Sequence, residues 1–380
     1  MQKIALLPPL IEEHNKSMDI YAKELLKSFK SSKLPIMPSL HTAHFSTNTA
    51  VDIPSDFPVQ LKTKLPPNLA FKYYNYPRKV KWLQDSLIHI TDHSYGHLLY
   101  AFPESKVVIT CHDLTLLKYE KILVKNDADA DKINLFKYSI SALPKAAAII
   151  ADSKATQNDL EKFLGIPRSK IKVVPLGVAA IFQPEKDPAP VEDFKIKYGL
   201  QDHFLLLHVG NNAFYKNISF ILKTLYILQK KHSAKVKLIK IGTDFTEFQK
   251  MMIRNLNLQK NILHLGEQSI NTLVTAYNAA DLLIFPSLNE GFGLPVLEAM
   301  ACGTPVMASD QGALPGVIGS AGIILRPKKH EEWANKIANL IEHKDKLQIL
   351  AESGLERAKQ FSWETTANKT FEIYQQVLKS

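Results

Sequence analysis

FPSLNEGFGLPVLEAMACGTPVMASD, residues 285–310, contains in order a strand, a glycine turn, a helix and a second strand. The apolar run 281–287 leading into the turn is typical of a strand buried on both faces of a parallel sheet. Pro295 fits the first turn of the helix, and Gly303 fits the position after its end. The order therefore predicts a βαβ unit whose helix N-terminus is lined by glycines and can bind a phosphate.

Two glutamates of this stretch lie beside that helix N-terminus. Glu298 is near the first turn, where it would repel a diphosphate but can accept hydrogen bonds from an adjacent ribose diol. Glu290 precedes the glycines, at the mouth of the loop, where a sugar would bind. Taken alone, either residue also fits a structural role, as a complement to the helix dipole or as an exposed loop residue. The ordered string favours ligand binding.

The string EGFGLPVLEAMACGTPV resembles the E-x7-E signature of the retaining family 4 glycosyltransferases, which have the GT-B fold. The resemblance implies that Glu298 holds the donor ribose, that Glu290 lies by the donor sugar, and that the backbone between them contacts sugar and diphosphate. The residues with this backbone role are Gly291, Phe292, Gly293 and Leu294. Further segments of residues 107–380 resemble the family, whereas the first hundred residues match loosely. These segments are VVITCHDLTLL (107–117), AAAIIADSKAT (146–156), IKVVPLGV (171–178), LLLHVGNNAFYKN (205–217) and FSWETTANKTFEIYQ (361–375).

The predicted fold class is α/β, of the GT-B type, with two Rossmann-like doubly wound domains facing a deep cleft and a C-terminal helix that crosses back to the first domain. An acceptor-binding domain is predicted over 1–180, together with the returning helix 361–380. The donor-binding domain follows over 199–360. The linker 181–198 is indicated by FQPEKDPAPVED, which has prolines and charges but no apolar period. Residues 34–77 are rich in proline and predicted to be irregular.

Short apolar runs predict the strands of both sheets. In the first domain they are Lys3–Leu7, Leu87–Thr91, Val107–Cys111 and Ala147–Ala151, and in the second Phe204–Val209, Val236–Ile241, Ile262–Leu265, Leu282–Phe285 and Val306–Ala308. The apolar period of 18–29 predicts an amphipathic helix.

A phosphate loop is predicted after the first strand of the donor domain. Gly210 ends that strand, and Lys216 opens the next helix, where its ammonium can neutralise charge on a departing diphosphate. The resembling family usually has an arginine just after the glycine, but this chain has Asn211 and Asn212 there, which can donate hydrogen bonds without supplying charge. The second cation is therefore missing or comes from elsewhere. By the same resemblance, Gly266, Glu267 and Gln268 lie where the base is bound.

Candidate residues of the first domain follow its strands. His112 directly follows a buried strand, and the resemblance implies that it approaches the donor sugar through its carbonyl or its ring. The catalytic candidates are thus Glu290, His112 and Lys216. Candidate contacts on the acceptor side are Asp113, His93, Tyr95 and Asn15. Each of these is also consistent with an ordinary polar loop residue.

Composition limits the remaining functions. The net charge is +10, and most of the excess lies in residues 1–180, which indicates an anionic partner such as a membrane surface, or else a solubilising surface excess. Nucleic acid is not expected, because no aromatic and arginine stripe or zinc finger is present. The two cysteines fit reduced core positions of a cytoplasmic protein, and no apolar run is long enough to cross a bilayer. The predicted location is cytoplasmic, with peripheral contact at the inner face of the membrane.

The sequence predicts a retaining hexosyltransferase that acts without metal or cofactor. Its donor is a nucleotide diphosphate sugar, with UDP-glucose or a similar UDP-hexose preferred and GDP-mannose next. Its acceptor is a saccharide or lipid-linked saccharide of polysaccharide biosynthesis. Two alternatives remain: another GT-B enzyme, such as a nucleotide-sugar epimerase or a glycogen-type transferase, and a non-catalytic scaffold that binds nucleotide or glycan.

Overall fold

The computed structural model describes residues 2–10, 16–32, 34–42, 57–83, 85–102 and 106–379. The chain divides into two compact units. Unit 1 comprises Met1–Gly177 and Trp363–Ser380, and unit 2 comprises Val178–Ser362. Each unit contains one six-stranded parallel sheet.

The sheet of unit 1 has the strand order β2-β1-β3-β4-β5-β6. Its strands are β1 (Gln2–Leu7), β2 (Ile36–Leu40), β3 (Leu87–Ile90), β4 (Val107–Cys111), β5 (Ala148–Ala151) and β6 (Ile171–Val173). All neighbours pair in parallel. The order reverses at β1, so the topological switch point, where open α/β sheets bind ligands, lies at the carboxyl ends of β1 and β3.

Seven helices accompany this sheet in the described part of residues 1–177. They are α1 (Lys16–Ser31), α2 (Pro67–Ala70), α3 (Tyr76–Val80), α4 (Thr115–Lys118), α5 (Glu120–Leu123), α6 (Asp127–Ser141) and α7 (Lys154–Leu164). A π-helical turn, Phe71–Asn75, joins α2 to α3, and a 3₁₀ segment, His93–Ala101, follows β3.

The sheet of unit 2 has the order β12-β11-β10-β7-β8-β9. Its strands are β7 (Phe204–Val209), β8 (Val236–Ile241), β9 (Ile262–Gly266), β10 (Leu282–Phe285), β11 (Val306–Ser309) and β12 (Ile323–Leu325). This is the strand order of dinucleotide-binding folds, and its switch point lies at the carboxyl ends of the adjacent strands β7 and β10.

The helices of unit 2 are α8 (Ala189–Tyr198), α9 (Ile218–His232), α10 (Glu247–Asn255), α11 (Ile270–Ala279), α12 (Leu294–Ala301), α13 (Leu314–Ile318), α14 (His330–Glu342) and α15 (Lys344–Ala358). The apolar core on one face of the sheet is formed by strand residues such as Leu206 and Leu238, which pack with Leu225 of α9 and Trp333 of α14. Burial of these side chains is the main favourable contribution to the stability of the unit.

The C-terminal helix α16 (Trp363–Lys379) belongs to unit 1, where it packs against α1. Tyr374 is completely buried, and its hydroxyl is hydrogen-bonded to His89 Nδ1 of β3 at 2.6 Å. The other ring nitrogen of His89 is hydrogen-bonded to Thr110 of β4 at 2.7 Å. The last helix is therefore held by a buried polar network as well as by its apolar face.

The predicted α/β class with two doubly wound parallel sheets is confirmed. Every predicted strand is present to within one residue at either end. The prediction of irregular structure over 34–77 is wrong at both ends, which contain β2 and the helical turns that begin at Pro67, and its residues 43–56 lie outside the described ranges. The second half of the predicted linker 181–198 is not irregular but forms α8. Its prolines misled the prediction, since Pro190 lies in the first turn of that helix, where proline is tolerated.

Candidate functional site

The loops that follow β7 and β10 meet at the switch point of unit 2. The backbone N–H of Leu288 donates to the carbonyl of Tyr215 at 2.6 Å. Asn217 has a left-handed backbone with φ of 59°, and its side-chain amide donates to the carbonyl of Pro286 at 3.1 Å. Residues far apart in the sequence are thereby fixed side by side, and the side chain of Lys216, next to Asn217, is directed at the second loop.

Lys216 and Glu290 form a buried ion pair across these loops. Lys216 Nζ lies 2.7 Å from Glu290 Oε1, and the two side chains are only 12% and 9% exposed. The ammonium also lies 5.1 Å from the centre of the Phe285 ring. Two of the three predicted catalytic residues are thus in contact, and the positive charge of Lys216 is balanced by a carboxylate in this structure.

Glycines allow the backbones around this pair to approach closely. A Cβ atom at Gly242, whose φ is +115°, would lie 2.1 Å from the carbonyl oxygen of Gly210. A Cβ atom at Gly312 would lie 2.4 Å from the carbonyl oxygen of Glu290. Only glycine fits either position without a backbone shift, so the ends of β7, β8 and β11 are packed tightly around the pair.

Asn211 and Asn212 both stabilise the phosphate loop. The Asn211 side chain accepts a hydrogen bond from the N–H of Ala213 at 3.1 Å. The Asn212 amide donates to the carbonyl of Asp244 at 2.5 Å. Its own oxygen is buried and has no hydrogen-bond partner among the described residues. The two asparagines therefore shape the loop, and they add no charge to it.

The helix α12 begins at a glycine, as predicted. Gly293 is its N-cap with φ of +101°, and a Cβ atom there would lie 2.7 Å from Leu314. Phe292 is buried and packs edge-on against Phe361 at 5.9 Å. Gly291 precedes it in the same turn, and Leu294 is the first helical residue. At this end Pro295 has no N–H and the N–H of Val296 donates to the carbonyl of Gly293 at 3.0 Å, so the attraction for an anion comes from the N–H of Leu294 and from the helix dipole.

Glu298 lies on α12 and is hydrogen-bonded to a buried tyrosine. Tyr277 of α11 donates its hydroxyl to Glu298 Oε2 at 2.7 Å. Burial raises the pKa of Glu298 to about 7, although the hydrogen bond from Tyr277 opposes the shift. A carboxylate in this setting is a strong acceptor for hydroxyl groups, because few water molecules compete for it.

Glu298→Gln is expected to stabilise the ligand-free protein at pH 8 and leave its stability unchanged near pH 4.5. The folded state holds the Glu298 proton more tightly than the unfolded chain, so stability falls as pH rises from 4.5 to about 7. Glutamine removes this dependence. Thermal unfolding at pH 4.5 and pH 8 measures this change in stability. Glu356→Gln, on the exposed surface, is the control. If the stability of Glu298→Gln depended on pH as that of the wild type does, the raised pKa of Glu298 would be contradicted.

The predicted base-binding residues follow β9. Gly266, with φ of +66°, accepts a hydrogen bond from the N–H of Gly242 at 2.8 Å. The Gln268 side chain donates to the carbonyl of Leu265, and Glu267 is exposed. These residues therefore lie at the carboxyl end of β9, beside the glycine pair described above.

His112, the third catalytic candidate, lies in unit 1 at the carboxyl end of β4. Its Nδ1 lies 2.6 Å from Asp152 Oδ2, and its Nε2 lies 2.8 Å from the carbonyl of Thr91. Both partners accept hydrogen bonds, so both ring nitrogens carry protons and the imidazole is positively charged. Burial lowers the pKa of His112, but Asp152 outweighs this effect and the pKa rises to about 9. The carbonyl of His112 accepts a hydrogen bond from the Thr156 hydroxyl at 3.0 Å.

The acceptor-side candidates lie near the switch point of unit 1. His93 is buried, and its Nδ1 lies 3.4 Å from Asp92. Tyr95 accepts a hydrogen bond from the N–H of Leu10 at 2.8 Å, and Asp113 accepts one from the N–H of Thr115 at 2.7 Å. These three residues hold the loops after β1, β3 and β4. The fourth candidate, Asn15, lies outside the described residues.

Sequence reasoning missed the partners of the predicted residues. Asp152 and Tyr277 were not identified, although Asp152 follows β5 directly and the carboxyl ends of adjacent parallel strands meet at one edge. In the ranges that the structure describes, no group of three or more acidic, histidine or cysteine side chains could hold a metal ion. Within those same ranges, every helix is too short or too polar to cross a bilayer.

Two family models match this chain. A profile described as "Glycosyl transferases group 1" matches residues 191–357, and one described as "Glycosyltransferase Family 4" matches residues 33–180. The O-antigen chain mannosyltransferase B of Escherichia coli is 27% identical over 304 residues, 79% of this chain and 77% of the relative. A D-inositol 3-phosphate glycosyltransferase of Corynebacterium kroppenstedtii is 26% identical over 72% of this chain and 62% of its own length.

Solved structures show the same fold at low sequence identity. A sucrose-phosphate synthase from Thermosynechococcus elongatus superposes with a TM-score of 0.78 at 20% identity, over 100% of both chains. HepE from Anabaena, in complex with UDP and glucose, superposes with a TM-score of 0.77 at 18% identity, over 99% of this chain and 100% of HepE.

Proposed function

The chain belongs to the family 4 glycosyltransferases, and from this premise we propose that it transfers a hexose from a nucleoside diphosphate sugar to a saccharide acceptor. The observation that carries the proposal is the buried Lys216–Glu290 pair at the switch point of unit 2, between a glycine-lined turn and the N-terminus of α12. This edge combines a cation, the N-terminus of a helix and two carboxylates. A diphosphate, a ribose and a sugar need these three kinds of partner.

The proposed donor is a UDP-hexose. HepE, which superposes over nearly the whole chain, is described in complex with UDP-glucose as well as with UDP and glucose. A mannose donor such as GDP-mannose is the second candidate, because an E. coli relative is a mannosyltransferase. The base lies against Gly266, Glu267 and Gln268 in this proposal, and the ribose diol donates hydrogen bonds to Glu298.

Lys216 and backbone amides bind the diphosphate in the proposed complex. The amides are those of Asn211 and of the turn containing Gly291, Phe292, Gly293 and Leu294, whereas the N–H of Gly210 already donates to the carbonyl of Ile241. Lys216 moves its charge from Glu290 to the phosphate oxygens, so that Glu290 becomes free to accept hydrogen bonds from the hexose. Because Lys216 and the helix N-terminus supply the positive charge, the proposed reaction needs no metal.

The proposed reaction retains the anomeric configuration. The bond from the hexose C1 to the oxygen of the β-phosphate breaks, and the acceptor oxygen forms a bond to C1 on the same face. The acceptor hydroxyl gives its proton to the departing phosphate oxygen, which balances the step without a covalent enzyme intermediate. In unit 1, His112 contributes a fixed positive charge, since both of its ring nitrogens already donate hydrogen bonds.

The proposed acceptor is a saccharide, free or linked to a lipid, of polysaccharide biosynthesis. The O-antigen relative favours this class. Acceptor contacts are assigned to unit 1, with His93, Tyr95 and Asp113 near the ends of β3 and β4. The basic excess of residues 1–180 supports contact with an anionic membrane surface, and a cytoplasmic location remains a prediction.

A thermal-shift panel tests the donor assignment. UDP, GDP and ADP, each alone and as its glucose and mannose sugars, are added in large excess to the wild type. One nucleotide class is expected to raise the melting temperature by several degrees, because binding at about 100 Kd adds about 2.7 kcal/mol of stability. If none of these nucleotides raised the melting temperature, the proposal would be contradicted. Turnover of a nucleotide sugar without acceptor would favour an epimerase, and binding without any turnover on a panel of acceptors would favour the scaffold.

A further inference from the structure

A completely buried lysine lies at the carboxyl end of β8. Lys240 has no exposed surface, and its ammonium donates to the carbonyl of Thr243 in the turn after the strand. The ring of Phe245 lies 5.4 Å from Nζ. Strands at the centre of a doubly wound sheet are normally apolar, and an ammonium buried there opposes folding. Its presence at the ligand-binding edge of the sheet therefore suggests a functional reason.

The neighbouring strands place no carboxylate beside Lys240. Its register partners are His208 on β7 and His264 on β9. Burial lowers the pKa of His208 to about 3, so this ring is neutral, and its Nε2 is buried without a partner among the described residues. In the same ranges no carboxylate oxygen lies within 4 Å of Lys240 Nζ, and Asp244 in the following turn is paired with Lys250 at 2.9 Å. The charge of Lys240 is therefore not balanced by an ion pair.

The turn after β8 is joined to the phosphate loop. Gly210 donates its N–H to the carbonyl of Ile241, the residue after Lys240, at 3.0 Å. Asn212 donates to the carbonyl of Asp244, and the backbones of Gly210 and Gly242 are in contact. Lys240 fixes this turn from the interior through Thr243, so the ammonium supports the surface that would hold the diphosphate.

The charges at the proposed diphosphate site indicate a role for Lys240 in that site. The pair Lys216–Glu290 is neutral as a whole, whereas the diphosphate of a nucleotide sugar is doubly negative. The asparagines after Gly210 add no charge. We propose that Lys240 is a positioning residue whose buried positive charge stabilises the diphosphate and makes the site selective for nucleoside diphosphates over nucleosides. The inference rests on the proposed function and adds the second cation of the site.

The positive charge of Lys240 can act on the diphosphate because it is buried. Two charges separated by several ångströms interact more strongly in the interior than in water, where solvent screens them. The ionisable groups of the adjoining elements are His208 on β7, His264 on β9, Asp244 in the turn, Glu247 and Lys250 on α10, and Lys216 in the phosphate loop. Burial lowers the pKa of Lys240 to about 8, although Asp244 opposes the shift. The positive charge is therefore lost as pH rises above 8 when no anion is bound.

Calorimetric titration of UDP into the wild type and into Lys240→Met tests the inference. If the thermal-shift panel selects GDP as the nucleotide, GDP replaces UDP in this titration. At pH 7.5 the variant is expected to bind UDP about tenfold more weakly, which corresponds to about 1.4 kcal/mol, and to bind uridine as the wild type does. Lys237→Met, at the other end of the same strand, is the matched control and retains wild-type affinity. The ligand-free melting temperature of Lys240→Met is expected to equal or exceed that of the wild type, because a buried charge has been removed.

The pH dependence separates this role from a purely structural one. The affinity of the wild type for UDP is expected to fall severalfold from pH 7.5 to 9.5, and that of Lys240→Met to stay constant. Equal affinities of the two proteins at pH 7.5, or a wild-type affinity that does not change with pH, would overturn the inference and leave the proposed function standing. A wild type that binds no nucleoside diphosphate at pH 7.5 would overturn both.

Discussion

Lys216→Met is expected to lower the rate of hexose transfer by about a thousandfold, since one preorganised group that stabilises developing charge contributes about 10²–10³ in rate. The ammonium lies at the switch point of unit 2, 2.7 Å from Glu290, within a site that has little contact with solvent. No other cation of the phosphate loop can replace it, because residues 211–215 carry no charge. Initial rates with the donor that the panel selects measure the effect.

The same substitution also affects folding, and a double variant separates the two effects. Removal of Lys216 leaves the carboxylate of Glu290, 9% exposed, without its cation, which is expected to reduce stability by about 3 kcal/mol. The variant Lys216→Met/Glu290→Gln contains neither charge and should recover most of that stability. It should not recover transfer. Recovery of both would mean that the pair is structural only.

Lys223→Met is the matched control for Lys216, because it removes an exposed lysine in the second turn of α9. Its stability and its rate are expected to remain close to those of the wild type. A Lys216→Met protein that is folded and transfers hexose within tenfold of the wild-type rate would show that the leaving diphosphate is stabilised elsewhere.

Asp152→Asn is expected to destabilise the protein by about 3 kcal/mol at pH 6.5, because it leaves a buried imidazole without its counter-ion. His112 and Asp152 are both nearly inaccessible, and their atoms lie 2.6 Å apart. Asparagine can still accept one hydrogen bond, but it cannot balance a charge. Urea unfolding of the two proteins measures the difference.

The pH dependence of this pair has a definite sign. The folded-state pKa of His112, about 9, lies above the ordinary value of 6.5, so the folded protein holds the proton more tightly. The stabilisation is therefore complete below pH 6.5 and is lost as pH rises to about 9. The difference in stability that separates the wild type from Asp152→Asn should shrink over this window. A constant difference would show that His112 is neutral in the folded protein.

Glu161→Gln provides the control for charge alone. Glu161 pairs with Arg168 at 2.7 Å, but the two side chains are 46% and 60% exposed. Loss of a surface pair is expected to change stability by less than about 1 kcal/mol. An effect as large as that of Asp152→Asn would mean that burial is not the reason for the strength of the His112–Asp152 pair.

The central strands could be predicted from sequence because they are buried on both faces. Val107–Cys111 and Leu282–Phe285 are continuous apolar runs, and the structure has both as predicted. The strands that the sequence did not reveal are β2, β6 and β12, and all three are edge strands. Edge strands are short and only partly covered, so their residues need not be apolar. The second strand even contains Pro38, which an edge can accommodate.

The candidate site could be predicted residue by residue, but its contacts could not. Glu290 and Lys216 were each identified from local patterns, yet they are 74 positions apart. Their contact depends on the pairing of β7 with β10, which are not consecutive strands. Lys240 was overlooked for a related reason, since a lysine in an apolar run is ordinarily expected at the surface, whereas cross-strand packing encloses this one.

Hydrogen–deuterium exchange with and without UDP tests the central claim, that the donor binds at the switch point of unit 2. The account predicts slower exchange of backbone amides in three segments when UDP is present: 210–217, 264–269 and 288–298. Amides of α15, in 344–358, which packs near the C-terminal end of α12 at Met300 and Gly303, serve as the internal reference and should not change. Protection confined to other parts of the chain, or no protection at saturating UDP, would contradict the account.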